Sequence, residues 1–203
     1  NSNNVLTDFI NTGVYDRNRK FFTTVSPSMD ILISSNLERL LYHLTGENDA
    51  VINDWFGKLK TEGKYEVSAD VKAKISELFW AGCCNDDETK AEIKSTFENY
   101  NYLLDTHTAV AVKVYEDYKK ATGDETRTII ASTANPYKFS GAVYEAVGGT
   151  VSDDEWQNIA ELESKTGTKM PAPLAATKNK EIRFTGSVEK HEMPEVVCKF
   201  LKS

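Results

Sequence analysis

Cysteine is scarce in this chain: three in 203 residues, two of them adjacent at Cys83 and Cys84. That number gives no disulfide framework, and no Cys or His stands at metal-ligand spacing from the pair. The expectation is small buried thiols and no metal centre. Long apolar runs are missing too. Nothing approaches the ~20 residues that a membrane helix needs, and the first residues carry no leader pattern. Positive charge is in deficit, with 24 Lys and Arg against 31 Asp and Glu and a net charge of −7. This argues against nucleic acid or an anionic membrane as the main partner. No internal repeat or low-complexity segment is evident. What remains is the composition of a soluble, cytoplasmic globular protein, 27% charged and 40% hydrophobic.

The most informative stretch begins with Ile129, Ile130 and Ala131, a short apolar run with β-branched residues. Ser132 and Thr133 follow, then Ala134, Asn135 and Pro136, then a helical pattern from Tyr137 to Val147. An apolar run that ends in small hydroxyl residues before a helix reads as a βα unit of an α/β protein. Ligands in open α/β sheets sit beyond the carboxyl ends of the strands, which would put Ser132 and Thr133 at the edge of a cleft. The alternative is that the two residues only cap the following helix.

Elsewhere the pattern is mainly helical. Asn4 can cap a short helix, Val5 to Asn11, that Gly13 ends. Phe21, Phe22 and Val25 read as a buried strand edge. The basic cluster with Arg17, Arg19 and Lys20 is either a solvated turn or a phosphate contact. Ile33, Leu37, Leu40, Leu41 and Leu44 recur at helical spacing, with Gly46 as a stop. Ser34, Ser35 and Asn36 are poor helix formers inside that run; they either face a cleft or mark a local cap. His43 is a lone histidine on this helix. Amphipathic helices follow around Trp55, Ile75 and Ile93, with short strands at Tyr65 to Val67 and Trp80 to Cys84. Asp105 or Thr106 can cap a helix with Val110, Val114 and Tyr118 inward, ended by Gly123. His107 stands at its start, where it could serve acid–base work or orient the turn. Ser152 and Glu155 form a capping-box pattern, Glu181 to Gly186 reads as a strand, and Pro194 opens a final apolar-striped helix.

Ser132 to Phe139 resembles the S-T-A-x-P-x-K-F signature of threonine synthases. Three further stretches match the same family in the same order: Asn3 to Phe9; Ser26 to Ile31 with Ser35 to Arg39; and Asp105 to Val110. Together they span nearly the whole chain. The resemblance implies the C-terminal part of an α/β, fold type II enzyme dependent on pyridoxal 5'-phosphate (PLP). That part would be helix-rich, with a few mainly parallel strands and a helical elaboration. It implies residues 1–46 as part of the PLP-binding domain, 47–101 as the elaboration, and 102–203 as a return to the PLP-binding domain and a C-terminal tail. The Schiff-base lysine and the phosphate-cradling loop would lie upstream, in the N-terminal remainder of the same protein, in keeping with a chain that opens at Asn1 without Met. The implied reaction turns O-phosphohomoserine and water into L-threonine and phosphate. Thr133, with Ser132 second, would hold the pyridine nitrogen, since a hydroxyl can donate to it. Asn4, Asn36 and Arg39 would line the substrate side, with His107 nearby. A late lysine, Lys138, reads as solvated.

Two rival readings stand beside this one. A threonine-synthase-like phospho-lyase would share the fold, and a non-catalytic α/β binding domain would share only the sheet face. A cut edge of sheet would also leave room for homodimerisation. The isolated chain is expected to be inactive.

Overall fold

Among the described residues, six of the α-helices start where a short polar side chain caps them, and four end where a glycine or asparagine turns left-handed. The computed structural model describes residues 1–202. Its contacts divide at Lys169, with a second unit beginning at Met170.

In the first unit, helix α1 (Val5–Thr12) stops at Gly13, whose φ of 81° lies in the left-handed region. Strand β1 (Val14–Asp16) pairs antiparallel with β2 (Lys64–Glu66), Tyr15 facing Tyr65. Helices α2 (Ser35–Leu44), α3 (Asp49–Thr61) and α4 (Ala69–Leu78) pack around this pair. They share one core with α1: Val5, Phe9, Tyr15, Leu37, Leu41, Trp55, Tyr65, Ile75 and their neighbours. Each large apolar side chain buried there contributes roughly 1.5–3 kcal/mol. Tyr65 stacks on Tyr15 at 5.4 Å and on Trp55 at 6.0 Å.

Helices α5 (Asp86–Tyr100) and α6 (Thr106–Thr122) pack on each other, and α7 (Ser140–Ala146) packs on α5 and α8 (Glu155–Thr166). Ile93, Ala109, Val110, Val143, Ile159 and Leu162 are buried. The second unit holds α9 (Ala172–Ala175) and α10 (Met193–Lys202). The apolar stripe of α10, Val196, Val197, Phe200 and Leu201, is exposed.

The helix-rich architecture with few strands agrees with the expectation. The strands differ in detail. Among the described residues the one paired sheet is antiparallel, where mainly parallel strands were expected. The runs at Ile129–Ala131, Phe21–Val25, Trp80–Cys84 and Glu181–Gly186 are not strands. A strand exists only where a neighbouring strand takes its N–H and C=O groups, and none pairs with these runs; Phe22, for one, gives both its backbone groups to the Asn3 side chain instead. Ile129 is 92% exposed, and Phe21 and Phe22 are not buried. Of the adjacent thiols, Cys84 is buried and Cys83 exposed.

Three helix starts also moved. The helix expected to run through Ser34 begins there: Ser34 Oγ accepts from Leu37 N at 3.4 Å, so Ser35 and Asn36 are first-turn residues. Tyr15 sets this start, its hydroxyl donating to Leu32 O and accepting from Ser34 N, both at 3.0 Å. The helix around Ile93, for which the sequence offers Asp86 as cap, is capped as α5 by Asn85, in a reciprocal box with Glu88. Asp154, not Ser152, caps α8.

Candidate functional site

The N-terminus of α6 is the most tightly bonded polar cluster near the sequence-nominated residues. Asp105 caps the helix: Oδ1 accepts from His107 N at 2.9 Å and from Thr108 N at 3.3 Å. The Thr108 hydroxyl donates to Oδ2. Asp105, Thr106, His107 and Thr108 are all buried. A buried carboxylate is tolerable only when donors replace its water, and the positive end of a helix supplies them.

His107 has both ring nitrogens engaged. Nε2 accepts the backbone N–H of Ser28 at 3.0 Å. A backbone N–H can only donate, so Nε2 carries no proton and the ring proton sits on Nδ1. Nδ1 lies 3.3 Å from Asp105 Oδ1 and 3.3 Å from Thr106 Oγ1. The contact with Asp105 is thus a hydrogen bond from a neutral ring rather than an ion pair. Phe139 covers the ring at 4.6 Å. Held this way, His107 orients a turn.

The loop that carries Ser28 is itself pinned by Asp30. Its Oδ1 accepts from Asn1 Nδ2 at 2.8 Å, Asn3 Nδ2 at 2.9 Å and Thr24 Oγ1 at 2.8 Å. The amino-terminal asparagines, the loop and the start of α6 therefore form one connected polar frame.

Ser132 joins that frame, with its Oγ 3.1 Å from Thr108 Oγ1. It lines two grooves. One, of about 360 Å³, includes Asp105, Asn135, Tyr137, Thr168 and Lys169. The other, of about 490 Å³, includes Tyr100, Tyr102, Leu104, Thr108 and Ile130. Thr133 is exposed, and among the described residues its hydroxyl has no hydrogen-bond partner. Neither residue caps the following turn. That role falls to Asn135, whose Oδ1 accepts from Tyr137 N at 3.0 Å.

The other nominated residues lie in separate groups. Asn4 Oδ1 accepts from Arg19 Nη1 at 3.0 Å, and the same nitrogen is 2.7 Å from Asp8 Oδ2. Asn4 therefore stands at the start of α1 without a side-chain capping bond. Arg19, open to either reading from sequence, is engaged with protein groups. Asn36 and Arg39 are exposed on α2, the guanidinium bonded to Asn36 Oδ1. No hydrogen bond among the described residues ties either group directly to Ser132, Thr133 or His107. Lys138 lies over the Phe139 ring at 5.6 Å.

Sequence reasoning missed Asp30 and Ser28 because the asparagine partners of Asp30 lie 27 and 29 positions away and the His107 partner of Ser28 lies 79 away. Asp105 was legible as a cap; its bond to Thr108, three residues on, was the available signal for more. Among the described residues no group of His, Cys, Asp and Glu is placed to hold a metal, and no helix is long and apolar enough to cross a membrane. The chemistry on offer is hydroxyl and amide hydrogen bonding at a groove rim, which suits a heteroaromatic ring nitrogen or a polar organic substrate.

The family described as "Threonine synthase, C-terminal" matches residues 108–193. The threonine synthase of Saccharomyces cerevisiae is 39% identical over 163 residues, covering 73% of this chain and 32% of that protein. The crystal structure of threonine synthase from yeast aligns with a TM-score of 0.77 at 30% identity, over 99% of this chain and 41% of that one. A PLP-bound threonine synthase from Brucella melitensis aligns with a TM-score of 0.67 at 34% identity, over 83% and 34%. Human "Threonine synthase-like 1" is 40% identical over 148 residues, 72% of this chain and 20% of that protein. The chain thus spans between a fifth and about two fifths of the length of these relatives.

Proposed function

We propose, from the premise that this chain belongs to the threonine synthase family as its C-terminal portion, that it forms one wall of the cofactor and substrate site of a PLP-dependent enzyme. The enzyme converts O-phosphohomoserine and water to L-threonine and phosphate. The observation that carries the reading is the alignment of 99% of the chain with the yeast structure.

Thr133 is the residue assigned to the ring nitrogen of PLP. The fit rests on its exposed hydroxyl, which no protein group occupies, one residue beyond the groove-lining Ser132. A hydroxyl donor holds the nitrogen without protonating it, in contrast to a carboxylate partner. PLP, when bound, supplies the electron sink for removing and returning protons on the substrate carbons. Asn4, Asn36 and Arg39 are assigned to the substrate side. His107 positions the turn rather than moving protons, because its acceptor nitrogen is filled by Ser28. Residues 47–101 are assigned to a helical elaboration beside the cofactor-binding domain. The lysine that carries the cofactor and the loop that cradles its phosphate belong to the N-terminal remainder, so the chain alone is inactive.

Borohydride treatment of the full-length protein with PLP, followed by peptide mass mapping, tests this. The label is expected on a lysine outside these 203 residues. A label on a lysine of this chain overturns the assignment. The identity with the human threonine-synthase-like protein favours, as a second reading, a phospho-lyase on a related substrate. That enzyme would release phosphate without forming threonine.

A further inference from the structure

We propose that the run from Thr128 to Thr133 is the seat of an apolar β-strand from the N-terminal remainder of the same protein, and that this docking fixes where Ser132 and Thr133 stand. The inference rests on the chain being a C-terminal portion, as proposed above, and not on the reaction assigned to it.

The run has the composition of a buried strand. Ile129, Ile130 and Ala131 follow one another with no polar residue between them, the pattern of a strand covered on both faces. Only one face is covered here. Side chains alternate along an extended run. Ile130 is half-buried and lines two grooves that share α6 as a wall, one of about 490 Å³ with Val112 and one of about 520 Å³ with Val114, Leu78 and Trp80. Ile129 points the other way and is 92% exposed. The backbone is as open as the side chains. Among the described residues no hydrogen bond engages a backbone N–H or C=O of Thr128 to Thr133. Trp80 to Cys84 is a second run of this kind. Apart from Gly82 O, which accepts from Thr7 Oγ1 at 2.8 Å, its backbone is unpaired, and Leu78, Phe79 and Trp80 before and within it are exposed.

Three points name the occupant. Successive free N–H and C=O groups are met, within a protein, by another extended backbone, because a helix uses its own groups internally. The groove walls are apolar, so the incoming strand carries apolar side chains. The alignment with the yeast structure takes in 99% of this chain but 41% of that one, so more than half of a related protein is there to supply the strand. A second copy of this chain fits less well. Paired run to run, it gives a single neighbour at a single edge, and it brings together two chains of net charge −7. Docking also matters for the site. Ser132 and Thr133 close the run, so ladder bonds to it would hold them at the carboxyl end of a sheet strand, where ligands of such sheets sit.

The test uses the full-length protein. Hydrogen exchange is expected to find the amides of Ile129 to Ser132 protected at least about a hundredfold over free peptide. A photo-cross-linking residue in place of Ile129 is expected to join, within one polypeptide, a segment upstream of Asn1. Free-peptide exchange across the run in the unmodified protein overturns the proposal, whatever the substituted protein does. So does a cross-link that joins two copies, or one that stays within these 203 residues. Protected amides in a protein that makes no threonine would sink the proposed function and leave the docking standing; free exchange in an active enzyme would do the reverse.

Discussion

Replacing Asp105 with Ala should be among the most damaging single changes at a polar residue in the chain. The carboxylate does three things at once. It caps α6, which is worth ~1 kcal/mol. It takes the proton of the buried Thr108 hydroxyl and stands 3.3 Å from the Nδ1 proton of His107. Alanine removes the cap and takes the carboxylate acceptor from the buried Thr108 hydroxyl, leaving it only Ser132 Oγ at 3.1 Å, at ~1–3 kcal/mol, with a smaller loss at His107 because Thr106 Oγ1 stays 3.3 Å away. The sum is about 2–4 kcal/mol. Asp154→Ala is the reference: it removes the cap of α8, where Oδ1 accepts from Trp156 N at 2.9 Å on an exposed turn, and should cost only ~1 kcal/mol. Urea unfolding followed by circular dichroism compares the two in the same preparation, and hydrogen exchange at the first turn of α6 localises the effect. If Asp105→Ala costs no more than Asp154→Ala, the frame built around this carboxylate is not the anchor described.

Other outcomes follow from the same reasoning. The Tyr65 hydroxyl is buried without a partner among the described residues, so Tyr65→Phe should leave stability unchanged or raise it by ~1 kcal/mol, whereas Tyr15→Phe orphans Leu32 O and Ser34 N and should cost ~1–3 kcal/mol. Equal unfolding midpoints for the two variants would contradict this. At Gly63, φ is 80° and an added Cβ would stand 2.2 Å from the Asn18 side chain, so Gly63→Ala should cost more than Gly13→Ala, whose Cβ would meet the flexible end of Lys72 at 3.2 Å. The same unfolding series ranks them, and the reverse order would count against the fold. Hydrogen bonds from Thr126 and Tyr118 hold the Asp124 carboxyl down to about 2. A depressed carboxylate stabilises the fold above its ordinary value of ~3.9 and loses that contribution as pH falls through the folded value. NMR of the Asp124 side chain should therefore titrate near 2, together with the Thr126 amide; a midpoint near 4 would mean these bonds do not form.

Much of the helical order was legible because it is local. Val110, Val114 and Tyr118 mark a face of α6, Asp105 caps it, and Gly123 ends it at a φ of 68°. The same logic places α1 against Gly13 and α4 behind Ser68. The errors came from non-local causes. Ile129 to Ala131 carries every local mark of a strand, but a strand is a relation between two segments, and no partner lies among the described residues. Ser34 to Asn36 looked like polar residues within a helix because the hydroxyl that fixes the helix start belongs to Tyr15, 19 positions away. The candidate site divides the same way. Ser132 and His107 were legible from motif and position. The carboxylates that orient their surroundings, Asp105 and Asp30, acquire that role only when the backbone brings their donors together. Asn36 and Arg39 bond each other at three positions' separation on α2, a contact that helical spacing makes available.

The most direct test of the central claim is the product balance of the full-length protein, supplied with PLP and O-phosphohomoserine. The account expects L-threonine and phosphate in equal amounts, and neither from the 203-residue chain alone. Phosphate released without threonine would shift the protein to the lyase reading, and turnover by the isolated chain would contradict the account at its base.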